Sequence, residues 1–132
     1  MNTKLVIKFF LIFFFCLQSI YSKAQCCDYT LSMHDSYGDG WNGASLQVLI
    51  NNISIGTYSA SNFGSTVTLS VCNGDSLDLN YTSGSYENEN SYELQDSSWN
   101  IVFQDGPNPD TGSVFSSIAD CNTPLALGVY PC

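Results

Sequence analysis

Cationic side chains are almost missing from this chain. Its only lysines are Lys4, Lys8 and Lys23, it has no arginine, and all 12 of its carboxylates lie beyond them. Past residue 24 no internal salt bridge to Lys or Arg can form. Carboxylates drawn together by folding must therefore be solvated, protonated or neutralised by something bound. The same absence excludes the contacts on which nucleic-acid binding and attraction to anionic membranes depend, because both need Lys or Arg. Histidine is nearly absent too. His34 stands alone and no Cys-x-x-Cys is present, which argues against a structural zinc site. With no serine or cysteine nucleophile arranged around His34, and too short a chain for a walled catalytic cleft, the expectation is a protein that is not an enzyme. Alanine is sparse, and no window carries the i, i+3, i+4, i+7 apolar pattern of an amphipathic helix.

One long apolar stretch exists, and it sits at the start. Lys4 and Lys8, an apolar run from Phe9 to Leu17, and Ser22-Lys23-Ala24 have the layout of a secretory signal peptide cleaved before Gln25. The run is too short to cross ~30 Å of hydrocarbon, and nothing later is long enough to try, so no membrane insertion is expected after cleavage. The reading is residues 1–24 as signal peptide, 25–121 as one domain and 122–132 as a short C-terminal tail, with the product outside the cell or on its outer surface. Cys16 leaves with the leader, and Cys26, Cys27, Cys72, Cys121 and Cys132 remain. Export makes disulfides their default use.

Period-two alternation recurs along the domain. Tyr29, Leu31 and Met33 face one way while Thr30, Ser32 and His34 face the other. Further strands are expected at 45–50, 53–58, 66–71, 76–81, 91–96, 100–104 and 113–118. Asn51-Asn52, Asn73-Gly74-Asp75 and Ser97-Ser98 supply turn chemistry between them. About eight short strands joined by turns read as an all-β, two-sheet antiparallel β-sandwich, jelly-roll or CUB-like in kind. An immunoglobulin-like sandwich is the rival, and it lacks the expected Trp between two cysteines. Cys27 and Cys121 stand just before the first strand and just after the last, ends that meet in a closed sandwich, so a bridge between them is expected. Cys72 then pairs with Cys26 or Cys132, and an unpaired cysteine leaves oligomer formation open.

The densest chemistry lies in Asp35-Ser36-Tyr37-Gly38-Asp39-Gly40-Trp41-Asn42-Gly43, where the first strand stops alternating. Glycines let the backbone turn with positive φ, so carboxylates and carbonyls can converge on one point. Ca²⁺ takes six to eight oxygens from Asp, Asn, backbone and water, which makes Asp35, Asp39 and Asn42 candidate ligands. The spacing is not that of an EF-hand, because Tyr37 and Leu46 stand where that loop needs ligands. The competing reading is that the aspartates only cap a turn through nearby amides.

That run, preceded by Cys27-Asp28-Tyr29-Thr30-Leu31, resembles the opening signature of small β-sandwich modules in secreted and cell-surface bacterial proteins of adhesin-like kind. Gly84-Ser85-Tyr86-Glu87-Asn88-Glu89-Asn90-Ser91-Tyr92-Glu93-Leu94, Gly106-Pro107 through Gly112, and Cys121 continue the resemblance. It implies that Glu89 occupies an acidic position that can join Asp35 and Asp39 in holding the ion, with Glu87 as its possible substitute. Tyr37, Trp41 and Tyr86 lie in the same two loops and are candidate ligand-binding aromatics, although Trp41 has a competing role as a plug beneath its own loop. The expectation is a secreted, non-catalytic, calcium-dependent module for adhesion or glycan binding, its partner an extracellular glycan or a cell-surface protein. The alternative is a structural component of the surface matrix whose acidic loop serves stability.

Overall fold

The computed structural model describes residues 25–121, so the leader, the tail and Cys132 lie outside the described residues. Eight strands follow one another: β1 (Cys26–Asp35), β2 (Ser45–Ile50), β3 (Ile53–Tyr58), β4 (Gly64–Cys72), β5 (Ser76–Thr82), β6 (Asn90–Gln95), β7 (Ile101–Asp105) and β8 (Gly112–Ile118). A single 3-10 turn at Glu87–Glu89 is the only helical element among the described residues. The strands form two four-stranded antiparallel sheets, in the orders β4-β1-β6-β7 and β3-β2-β5-β8. Taking β7 as the first strand turns both orders into jelly-roll wiring, so this chain enters the roll part-way and closes it with β7 and β8. Among the described residues no helix is long and apolar enough to cross a membrane.

The predicted strands are present, and β1 is longer than the alternation alone suggested. It begins at Cys26 because Cys26 and Cys27 both pair with β4, and it ends at Asp35, which pairs with Asn90 of β6. The inward positions of the four central strands fill the space between the sheets with Leu31 and Met33, Leu46 and Val48, Leu77 and Leu79, and Tyr92 and Leu94. Each such side chain taken fully out of water contributes about 1.5–3 kcal/mol. The β2–β3 hairpin turns on Asn51 and Asn52, both at positive φ (53° and 63°), the geometry that matches strand twist and that asparagine tolerates.

Adjacent strand residues point to opposite faces, and this decides the cystines. Cys26 faces outward and bonds Cys72, its cross-strand partner on β4, while Cys27 turns toward the core and bonds the buried Cys121. The two bridges thus lie on opposite faces of the same sheet at one end of the sandwich. At that end Asp75 also joins two connections: its carboxylate accepts from Asn51 Nδ2 (2.7 Å) and from the Cys72 amide (2.8 Å).

The Cys27–Cys121 bridge spans 94 residues, for which the chain-entropy argument gives ~4–5 kcal/mol. Replacing both cysteines by serine should lower the unfolding free energy by that order in denaturant titration, and a loss under ~1 kcal/mol would contradict the entropic account. A second outcome concerns acid. The Asn51 amide first, then the Cys72 amide, hold the Asp75 carboxyl below its ordinary 3.8, so its contribution is in place above that pH and fades as pH falls through the lowered value. Asp75→Asn should therefore be less stable than wild type near neutrality, and the gap should close progressively below about pH 3.8, read as melting temperature against pH.

Candidate metal centre

Four connections cross between the sheets at the end opposite the cystines: residues 36–44, 59–63, 83–89 and 106–111. Backbone hydrogen bonds knit them together. Ser36 N donates to Glu89 O (3.0 Å), Trp41 N to Ala60 O (3.2 Å), Ser85 N to Asn42 O (3.1 Å) and Asn108 N to Glu87 O (2.8 Å). The close approach of the first two loops requires glycine at position 40, where φ is +88° and a Cβ would sit 2.9 Å from Ala60 O.

Trp41 anchors this end from below. It is 1% exposed, its indole nitrogen donates to His34 O (2.8 Å), and its ring meets those of Tyr81 and Tyr92 edge-on at 5.6 and 5.9 Å. The indole is therefore a plug in the core with no face left for a ligand, so of its two expected roles the structure corrects the ligand-binding one. Tyr37 and Tyr86 behave otherwise: they are 72% and 63% exposed. Tyr86 is held in the left-handed region (φ 60°, ψ 41°) as the 3-10 turn begins, a conformation rare for a bulky residue. Trp99 is also exposed, at the cystine end of the sheet.

Asp35, Asp39 and Glu89 come together as the sequence predicts, with one oxygen of each within 4.8 Å of the others. They are graded from inside to outside: Asp35 is buried, Glu89 half-buried and Asp39 exposed. A cleft of about 340 Å³ opens over them, lined by Tyr37, Asp39, Tyr86 and Glu89. Asp35 is the most constrained of the three. At 3% exposure its Oδ1 accepts from the Gly38 amide, while its Oδ2 has no partner. Partial burial, together with repulsion from Asp35 and Asp39, pushes the Glu89 carboxyl above its ordinary range. Three hard oxygen donors so placed suit a calcium ion better than a soft metal.

Asn42 and Glu87 have other tasks. Asn42 turns its amide nitrogen toward the loop, donating to Asp39 Oδ1 and Gly40 O at 2.8 Å each, so in this arrangement it braces the turn and orients Asp39. Glu87 accepts from the Gly84 amide and, at 2.8 Å, from Tyr81 Oη, which leaves Glu89 as the acidic residue of that loop free to face Asp35. One polar residue was missed in the sequence. Asn90, 1% exposed, occupies an inward position ahead of Tyr92 and Leu94 and lies directly opposite Asp35. An asparagine in the inward phase of an otherwise apolar alternation was the signal. Comparison of the chain with protein-family models, with curated proteins and with solved structures found no match.

With divalent cations removed, Asp35 is a buried carboxylate with an unsatisfied oxygen and two anionic neighbours. Asp35→Asn keeps the acceptor for Gly38 and gives the neighbouring carboxylates a donor, so it should raise stability in chelator by ~1–3 kcal/mol. Denaturant titration in chelator reads this directly, and a loss of stability would mean that the charge is satisfied in another way.

Proposed function

We propose that this chain is a secreted, non-catalytic binding module that holds Ca²⁺ between Asp35, Asp39 and Glu89 and binds an extracellular glycan over Tyr37 and Tyr86. The observation that carries the reading is the unpartnered, core-facing carboxylate of Asp35 meeting two more carboxylates, in a domain without Lys or Arg. A divalent cation removes all three penalties together: the missing partner of Oδ2, the mutual repulsion and the partial desolvation of Glu89. The oxygens come from the end of β1, an irregular loop and a 3-10 turn, a mixed frame that Ca²⁺ accepts and that the stricter octahedron of Mg²⁺ does not favour.

The cleft supports the second half of the reading. Two exposed phenol rings flank the acidic oxygens, and ring faces pack against the apolar C–H faces of sugars while hydroxyls reach polar atoms beside them. An ion joining the two loops would hold both tyrosines in place before a ligand arrives, which lowers the entropy lost on binding. A chain this acidic favours a neutral polysaccharide over a polyanion.

Saturating Ca²⁺, at a hundredfold excess over its dissociation constant, should stabilise the mature protein by ~2.7 kcal/mol relative to chelator, and Asp39→Asn should shrink that response. Tyr37→Ala should abolish retention on a neutral polysaccharide with little change in melting temperature, and chelation should do the same to wild type. An unchanged melting temperature with calcium sinks the ion. Retention that survives the double Tyr37→Ala, Tyr86→Ala change, or is absent from a broad glycan panel with calcium present, sinks the glycan and favours the matrix-assembly alternative.

A further inference from the structure

Among the described residues two buried side-chain oxygens have no hydrogen-bond partner, Asp35 Oδ2 and Asn90 Oδ1. They are not scattered. Asp35 closes β1 and Asn90 opens β6, and the two residues are cross-strand partners in the same antiparallel pair. Side chains of a directly opposed pair leave the sheet on the same side, with Cβ atoms about 4.5–5.5 Å apart. Here that side is the core, since both residues are buried. Both orphans are acceptors, so neither can satisfy the other.

Donor and acceptor bookkeeping fixes which way the Asn90 amide points. A carboxylate only accepts, so Tyr81 Oη donates its single proton to Glu87 Oε2 at 2.8 Å. What Tyr81 then offers Asn90 is a lone pair, which must be met by the amide nitrogen, 3.1 Å away. The relay from Glu87 through Tyr81 turns the Asn90 oxygen away from the phenol and leaves it without a donor.

We propose that Asn90 Oδ1 is the inner, uncharged ligand of the same Ca²⁺ that Asp35, Asp39 and Glu89 hold, its amide aimed by Tyr81 and Glu87. The inference rests on the calcium reading above. An amide carbonyl is an ordinary Ca²⁺ ligand, and it adds an oxygen without adding to the charge already crowded at the site. A cation is also the partner that two orphan acceptors and two further carboxylates can share, whereas a buried water has only two protons to donate to them. With Asn90 on the core side, the open positions of the shell are left toward the tyrosine-lined cleft.

Terbium bound in place of calcium reports the number of waters on the ion through its luminescence lifetimes in H₂O and D₂O, with Trp41 and the tyrosines as sensitisers. Asn90→Ala should raise that number by one over wild type and weaken Ca²⁺ binding about tenfold. Asn90→Asp, nearly identical in shape, should keep the wild-type number, and it carries the test if the alanine variant does not fold. Terbium bound to Asn90→Ala with an unchanged water count, or a raised count in Asn90→Asp, overturns the assignment and leaves a trapped water as the partner of Asn90. No terbium binding by wild type overturns the calcium reading along with it.

Discussion

A carboxylate turned into the core in a domain that has no Lys or Arg constrains everything around it. Asp35 is the last inward position of β1, where the alternation that buries Leu31 and Met33 delivers an anion to the interior. In most proteins an arginine from a neighbouring strand would answer such a charge. Here no described strand can supply one, and the folding of the nearby loops brings two more carboxylates to the same place. The arrangement is costly as a purely structural device, and it becomes economical once the positive charge is taken to come from solution.

The surrounding architecture is consistent with a site that is supported from beneath and open above. Trp41 seals the bottom of its own loop against Tyr81 and Tyr92, and its indole hydrogen bond ties the loop to the end of β1. Asn42 braces the turn that carries Asp39, and Glu87 ties the loop that carries Glu89 back to β5 through Tyr81. The polar groups not themselves facing the cluster thus hold those that do, which is how a site on loops acquires rigidity. The left-handed backbone at Tyr86, with its ring in solvent, is a local expense that packing does not explain and that a ligand-contacting role would.

Much of the fold was legible because strand alternation and turn chemistry are local signals. All eight strands stood near their predicted places, whereas Glu89 beside Asp35 and Asp39 was expected only through the family resemblance, with Glu87 as the alternative. The Cys27–Cys121 pairing was also within reach, but the partner of Cys72 stayed open between Cys26 and Cys132 until the β1–β4 register set Cys26 opposite Cys72. What stayed hidden depends on orientation in three dimensions. Whether Asn42 offers oxygen or nitrogen is set by Asp39 and Gly40 O, and whether Trp41 faces out or in is set by space under the loop that only the assembled sheets define. Asn90 escaped notice because its significance comes from Asp35 opposite, remote in the chain, and from Tyr81 on the other sheet, positions that only the assembled fold brings beside it.

The cystine end has a mechanical meaning. Gln25 lies beside Cys121, its side-chain amide donating to that residue's carbonyl at 2.9 Å, so the chain enters and leaves the domain at one point. Force applied between residue 25 and the chain beyond residue 121 would pass through two residues to Cys27, across the sulfur bridge and out at Cys121. Every strand beyond Cys27, and the whole acidic end, is off that load path. A pull that would unzip an unbridged sandwich would therefore stretch a covalent link here and leave the loops at the far end outside its path.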